Sequence, residues 1–139
     1  MTLLLRFALV AASLLAIKPA FAAGISLDLN RLESQGGNCR ATLVVVNGAA
    51  ATAEALKADL VIFGTDGVVA RRLAVDLGPI PAGKTVVKVF DIPATGCAAI
   101  GSILLNELPL CRITGDAAKS SACLETTTVT SRAGTRFFK

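Results

Sequence analysis

From Ile25 onward the chain alternates. "ISLDLNRLE" sets Ile25, Leu27 and Leu29 against Ser26, Asp28 and Asn30, and "CRATLVVVN" sets Cys39, Ala41, Leu43 and Val45 against Arg40 and Thr42. Successive side chains of a strand point to opposite faces, so a period of two gives each run one apolar and one polar face. Five further runs follow: "LKADLVIFG", "VVARRLAVDL", "TVVKVFDI", "AIGSILLNEL" and "LETTTVTSR". Turn signals such as "SQGGN", "TDG" (Thr65 to Gly67) and "PATGCA" divide them. The apolar residues are mostly Val, Ile, Leu and Ala, and Thr-Thr-Thr-Val-Thr is β-branched, which works against helix. No segment sustains a helical period, and there is no internal repeat.

Seven short strands at regular spacing predict an all-β fold, an immunoglobulin-like antiparallel β-sandwich of about seven strands. Such a sandwich buries alternate residues of two sheets against each other.

The first 22 residues follow a different grammar. "MTLLLR" carries one charge, Arg6; Phe7 to Ile17 is an uncharged run, apolar but for Ser13; "KPAFAAG" then supplies small residues at Ala20 and Ala22. A charged start, an apolar core and an Ala-x-Ala site read as a secretory signal peptide cleaved after Ala22. A membrane anchor needs ~20 apolar residues, and this run is too short and is broken by Lys18 and Pro19. The expected organisation is therefore 1–22 signal peptide and 23–139 one sandwich domain, periplasmic or secreted, with no transmembrane segment after cleavage.

The chain has 14 Lys and Arg against 10 Asp and Glu. Losing Arg6 and Lys18 leaves 12 against 10, scattered and with few aromatics to stack on bases, so no nucleic-acid partner is expected. Cys39, Cys97, Cys111 and Cys123 form an even set in a small exported domain and read as two disulfides. A metal site is the rival, but no two cysteines make a C-x-x-C and the chain has no histidine. Three pairings are open. In the immunoglobulin arrangement the second and sixth strands run the same way in facing sheets. Cys39 opens the second strand and Cys97 precedes the sixth, at one end. Cys111 leaves the sixth strand and Cys123 enters the seventh, at the other. The expected pairs are Cys39–Cys97 and Cys111–Cys123, each adding ~2–4 kcal/mol.

One stretch looks catalytic. "GPIPAGKT", Gly78 to Thr85, fits the phosphate-loop pattern G-x-x-x-x-G-K-T. That loop works through backbone N–H groups and a helix start directly after the lysine. Here "VVKVFDI" is β-branched, and Pro79 and Pro81 remove two donors. The stretch reads as a rigid inter-strand connection with Gly83 free to take positive φ. No nucleotide and no other cofactor is expected.

The stretch from Cys39 to Ile92 resembles exported bacterial immunoglobulin-like domains of the FxLYD type. The resemblance rests on "LVVVN", "GAAATAEAL", "LVIFGTDG", "VVARRLAVDL", "PIPAGKT" and "VVKVFDI", and most of all on Phe63, Asp66 and Gly67. The tyrosine of that pattern is absent. The whole chain, with its four cysteines, also resembles small exported proteins of alphaproteobacteria, many of them labelled as twin-arginine-signal proteins; here Arg6 stands alone. Neither resemblance implies a catalytic site.

Without histidine, Ser-His-Asp and Cys-His catalysis are excluded. Lys119 and Ser120 form a formal Ser–Lys pair, read as part of a disulfide-closed loop. No enzyme is expected. Arg71 and Arg72 are candidate partner contacts, one facing out and one near an edge. "RAGTRFFK" has two readings: the last strand packing Phe137 or Phe138 onto the body, or an exposed docking segment with Arg136. The expected function is a non-enzymatic binding or structural module of the bacterial cell envelope, with an unidentified protein partner. The alternatives are a pilus-like or assembly subunit that uses strand addition, which an unpaired sheet edge would favour, and a small periplasmic enzyme, which needs a polar pocket.

Overall fold

A computed structural model describes residues 24–115 and 120–139; the signal-peptide segment and Lys119 lie outside them. Among the described residues, eight strands form two four-stranded sheets. They are β1 (Ile25–Gln35), β2 (Asn38–Asn47), β3 (Ala53–Gly64), β4 (Val69–Asp76), β5 (Thr85–Ile92), β6 (Ile100–Ile113), β7 (Thr128–Ser131) and β8 (Arg136–Phe138). The first sheet has the order β5-β2-β1-β7 and the second β4-β3-β6-β8. The alternation read from sequence is the alternation seen. Leu27 and Leu29 on β1, Ala41, Leu43 and Val45 on β2, Leu60 and Ile62 on β3, and Ile103 and Leu105 on β6 interleave in one core.

Three differences from the expectation have physical causes. The last strand is two strands. β7 lies parallel to β1 and β8 parallel to β6, so the chain crosses from one sheet to the other through 132–135. The crossing is held by the Ser131 hydroxyl donating to the Thr135 carbonyl at 2.6 Å and by Gly134 at φ +79°. The sheets are thus antiparallel except at this one side.

The sixth strand runs on through Ile113, past Pro109 and Cys111, where the sequence reads a loop. Pro109 is tolerated because the register against β3 shifts there, and β8 reaches only Ser102 to Leu104, so no ladder bond is forfeited.

The third difference is a short helix, α1 (Ser120–Thr126), where the end of a loop and the start of a strand are expected. The Thr127 hydroxyl donates back to the Cys123 carbonyl at 2.7 Å, and Lys139 Nζ donates to the carbonyls of Leu124 and Glu125, both at 3.0 Å. These bonds occupy the carbonyls that a helix end leaves free.

Cys39 is bonded to Cys97 and Cys111 to Cys123, the pairs the strand order implies. Cys39 is fully buried at the start of β2, and Cys97 opens a 3-10 turn (Cys97–Ala99) before β6. The second bond fastens α1 to β6.

"GPIPAGKT" crosses between the sheets, from β4 to β5. Leu77 and Ile80 are buried, and Ile80 bridges to Ala53. Asn47, fully buried at the end of β2, organises the crossing. Its Nδ2 donates to the carbonyls of Ala51 and Ile80 at 2.9 and 3.0 Å, and its Oδ1 accepts from the Ala49 N–H at 3.0 Å. That buried amide is satisfied on both sides, as burial requires.

Candidate partner-binding face

The outer face of the second sheet gathers most of the unusual chemistry. Residues paired in register share a face, so β3 contributes Asp59, Val61 and Phe63, β4 contributes Arg72, β6 contributes Ser102 and Leu104, and β8 contributes Arg136 and Phe138. Asn106, also on β6, reaches the same face through its bond to Asp59. Phe63 and Phe138 stack with ring centroids 6.3 Å apart. The Arg136 guanidinium lies 4.2 Å from the centroid of the Phe138 ring, a cation–π contact. Phe63, Leu104 and Phe138 are half-buried, while Arg72 and Arg136 are exposed.

Next to this patch Asp59 is buried. Arg72 grips it through Nε at 2.8 Å and through Nη2, and Asn106 Nδ2 donates a third bond at 2.8 Å. The hydrogen bond from Arg72 holds the Asp59 carboxyl below the usual carboxylate range against the opposing effect of burial, and Asn106 adds to it. The pair has the two-pronged geometry that suits arginine to carboxylates.

Of the five candidate contact residues, Arg72, Arg136 and Phe138 lie on this face, Arg72 on one edge strand and the other two on the opposite one. Phe137 is the inward neighbour: it lies in register with Ile103 and is buried in the core. Arg71 shares the inward side of β4 with Leu73 and Val75; it is half-buried, and its Nε has no partner among the described residues. Sequence reading missed Asp59, Asn106, Phe63 and Leu104 as members of the face. The usable signal was Asp59 itself, an acid inside the apolar run "ADLVIF", because a charge in such a strand requires partners.

The phosphate-loop resemblance fails on geometry. Gly78 N–H donates to Leu56 O, Ile80 N–H to Ala53 O and Lys84 N–H to Pro81 O, at 3.1, 2.8 and 3.2 Å. Gly83 takes φ +67° as a turn glycine, and Lys84 leads into strand β5 rather than a helix. Among the described residues no group of His, Cys, Asp and Glu could hold a metal ion, and no helix is long and apolar enough to cross a membrane.

No protein-family model, curated protein or solved structure matches the chain. What stands is the class: an all-β, immunoglobulin-like sandwich with two disulfides, bonds that fit an oxidising compartment outside the cytoplasm.

Proposed function

We propose that this protein is a non-enzymatic binding module of the bacterial cell envelope, periplasmic after removal of a signal peptide, and that it holds a protein partner on the outer face of its second sheet. The observation that supports this most is the half-exposed Phe63–Phe138 stack capped by Arg136, on a face that also carries exposed Arg72. Aromatic and arginine side chains are the types that most often anchor protein interfaces. The resemblance to exported FxLYD-type domains agrees with an envelope role, and the disulfides agree with an exported one.

A photocrosslinking residue placed at Phe138 tests the reading in cells. A discrete protein adduct should form, and Arg136→Glu should abolish it; the same residue at exposed Glu33 on the other sheet should give none. Equal labelling from both positions, or none from Phe138, would remove the face from consideration.

A further inference from the structure

β5 is the end strand of the first sheet. It pairs with β2 on one side and, among the described residues, with nothing on the other. Its eight residues, Thr-Val-Val-Lys-Val-Phe-Asp-Ile, contain no proline or glycine. A row of backbone N–H and C=O groups is therefore open along its outer edge. Val87 and Val89 stand beside that edge on the outer face of the sheet, 58% and 57% exposed. Their cross-strand neighbours Val44 and Thr42 extend the strip inward. A strand added at this edge would set its own side chains against both valines.

The charges say which strand fits. Lys88 points to the inner side of β5, in register with fully buried Leu43, and is half-buried. Its stem lies at the rim of the core, so its ammonium must leave past the open edge to reach water. Lys84 is exposed and lies four residues earlier, on the same side of an extended chain, ~13 Å along it. Neither lysine is in an ion pair among the described residues, while Asp91 is occupied by Arg40. The edge thus offers two uncompensated cations on one side and two exposed valines on the other.

A second copy of the chain fits badly. Two β5 strands related by a two-fold axis pair antiparallel; with Thr85 opposite Asp91, Lys88 stands directly opposite its own copy, and in the equally long register with Val86 opposite Ile92 each Lys88 faces the apolar Phe90 of the other copy. Like charges opposed across a pair of strands are destabilising, and an inward-pointing lysine is a device that keeps edges from self-pairing.

We propose that the β5 edge accepts an extended segment of another protein, running antiparallel, in which an acidic residue flanked by two apolar residues faces Lys88 and a second acid four places on faces Lys84. Val87 and Val89 receive the two flanking apolar side chains. Lys88 both selects this partner and rejects self-association. This surface lies on the other sheet from the Phe138 face and does not depend on that reading.

The test uses a fluorescent peptide Val-Glu-Val-Thr-Thr-Glu-Thr, titrated into the oxidised protein by anisotropy, with backbone amide shifts read by NMR. The acidic peptide should bind about tenfold more tightly than the same peptide with both glutamates changed to lysine. Alternate N-methylation of the peptide backbone should abolish binding, and the shifted amides should lie on β5 and β2. Lys88→Glu should invert the preference for acidic over basic peptide. Lys84→Glu, at an exposed position where folding is not at risk, should shift it the same way by less. Equal affinity for both peptides, no binding, shifts centred away from β5, or a wild-type dimer joined through β5 would each overturn the proposal.

Discussion

Each sheet carries on its outer face an arginine that grips an aspartate with two hydrogen bonds, and the two pairs sit in different surroundings. Arg72 and Asp59 span β4 and β3, with the Asp59 side chain only 11% exposed and a third bond from Asn106. Arg40 and Asp91 stand directly opposite each other across β2 and β5, with side chains 40% and 37% exposed and bonds of 2.8 and 3.2 Å. In both, the hydrogen bond from arginine is the main cause that holds the carboxyl below its ordinary range. The chemistry is the same; the water is not. An exposed pair exchanges one set of solvated partners for another and gains little. A buried carboxylate has no such exchange, and removing it strands whatever donated to it.

The largest effect is therefore expected at Asp59. Asp59→Ala leaves Asn106 Nδ2 and the inner edge of Arg72 without an acceptor, which costs about 1–2 kcal/mol and lowers the melting temperature by about 5 °C or more. Thermal unfolding followed by circular dichroism measures it. A drop no larger than that of Asp91→Ala would break the comparison, since burial would then have no bearing on the pair.

Acid titration comes next in size. A carboxyl whose pKa is depressed in the folded state contributes stability that is full above the unfolded value of ~3.9 and is lost as pH falls through the folded value. Wild-type stability should thus decline below about pH 4 through both aspartates. Asp59→Asn should flatten this acid limb clearly, and Asp91→Asn should flatten it less. The reverse order, read from denaturation midpoints between about pH 2 and pH 5, would place the stronger linkage on the exposed pair. At neutral pH Asp91→Ala should stay within about 1 °C of wild type, as exposed pairs usually do.

How much of this was legible before the structure depends on sequence distance. The alternation of β1 to β6 is local and was readable residue by residue, and the disulfide pairs followed once strands two and six were placed in facing sheets. The Asp59 cluster was not readable, because its partners lie 13 and 47 residues away and no local pattern joins Arg72 or Asn106 to an acid on β3. The two fates of Phe137 and Phe138 turn on a single register, set by pairing with Ile103 and Leu104; adjacent aromatics on a strand must part, but which one turns inward is decided by β6. The split of the final strand and the helix α1 were hidden for a related reason. "LETTTV" has β-branched residues that disfavour helix, and a local bond from Thr127 together with the long-range bonds from Lys139 overrides that preference. The openness of β5 was equally hidden, because an edge strand and an inner strand share one alternation.

The smallest expected effect belongs to the residue that looked most catalytic. Lys84 sits in a stretch whose letters match a phosphate loop, yet the N–H groups of Gly78, Ile80 and Lys84 already donate within the fold, and Pro79 and Pro81 have none to give. An anion arriving there finds three of the loop's N–H groups spent, two missing at the prolines and no helix start. Lys84 makes no ion pair among the described residues, so Lys84→Ala removes only an exposed side chain at the mouth of β5, and its melting temperature should equal that of wild type within error. ATP or GTP with magnesium should shift neither protein. A nucleotide-dependent rise in wild-type melting temperature that disappears in Lys84→Ala would restore the phosphate-loop reading. In its absence, the lysine matters only for what can lie along the β5 edge.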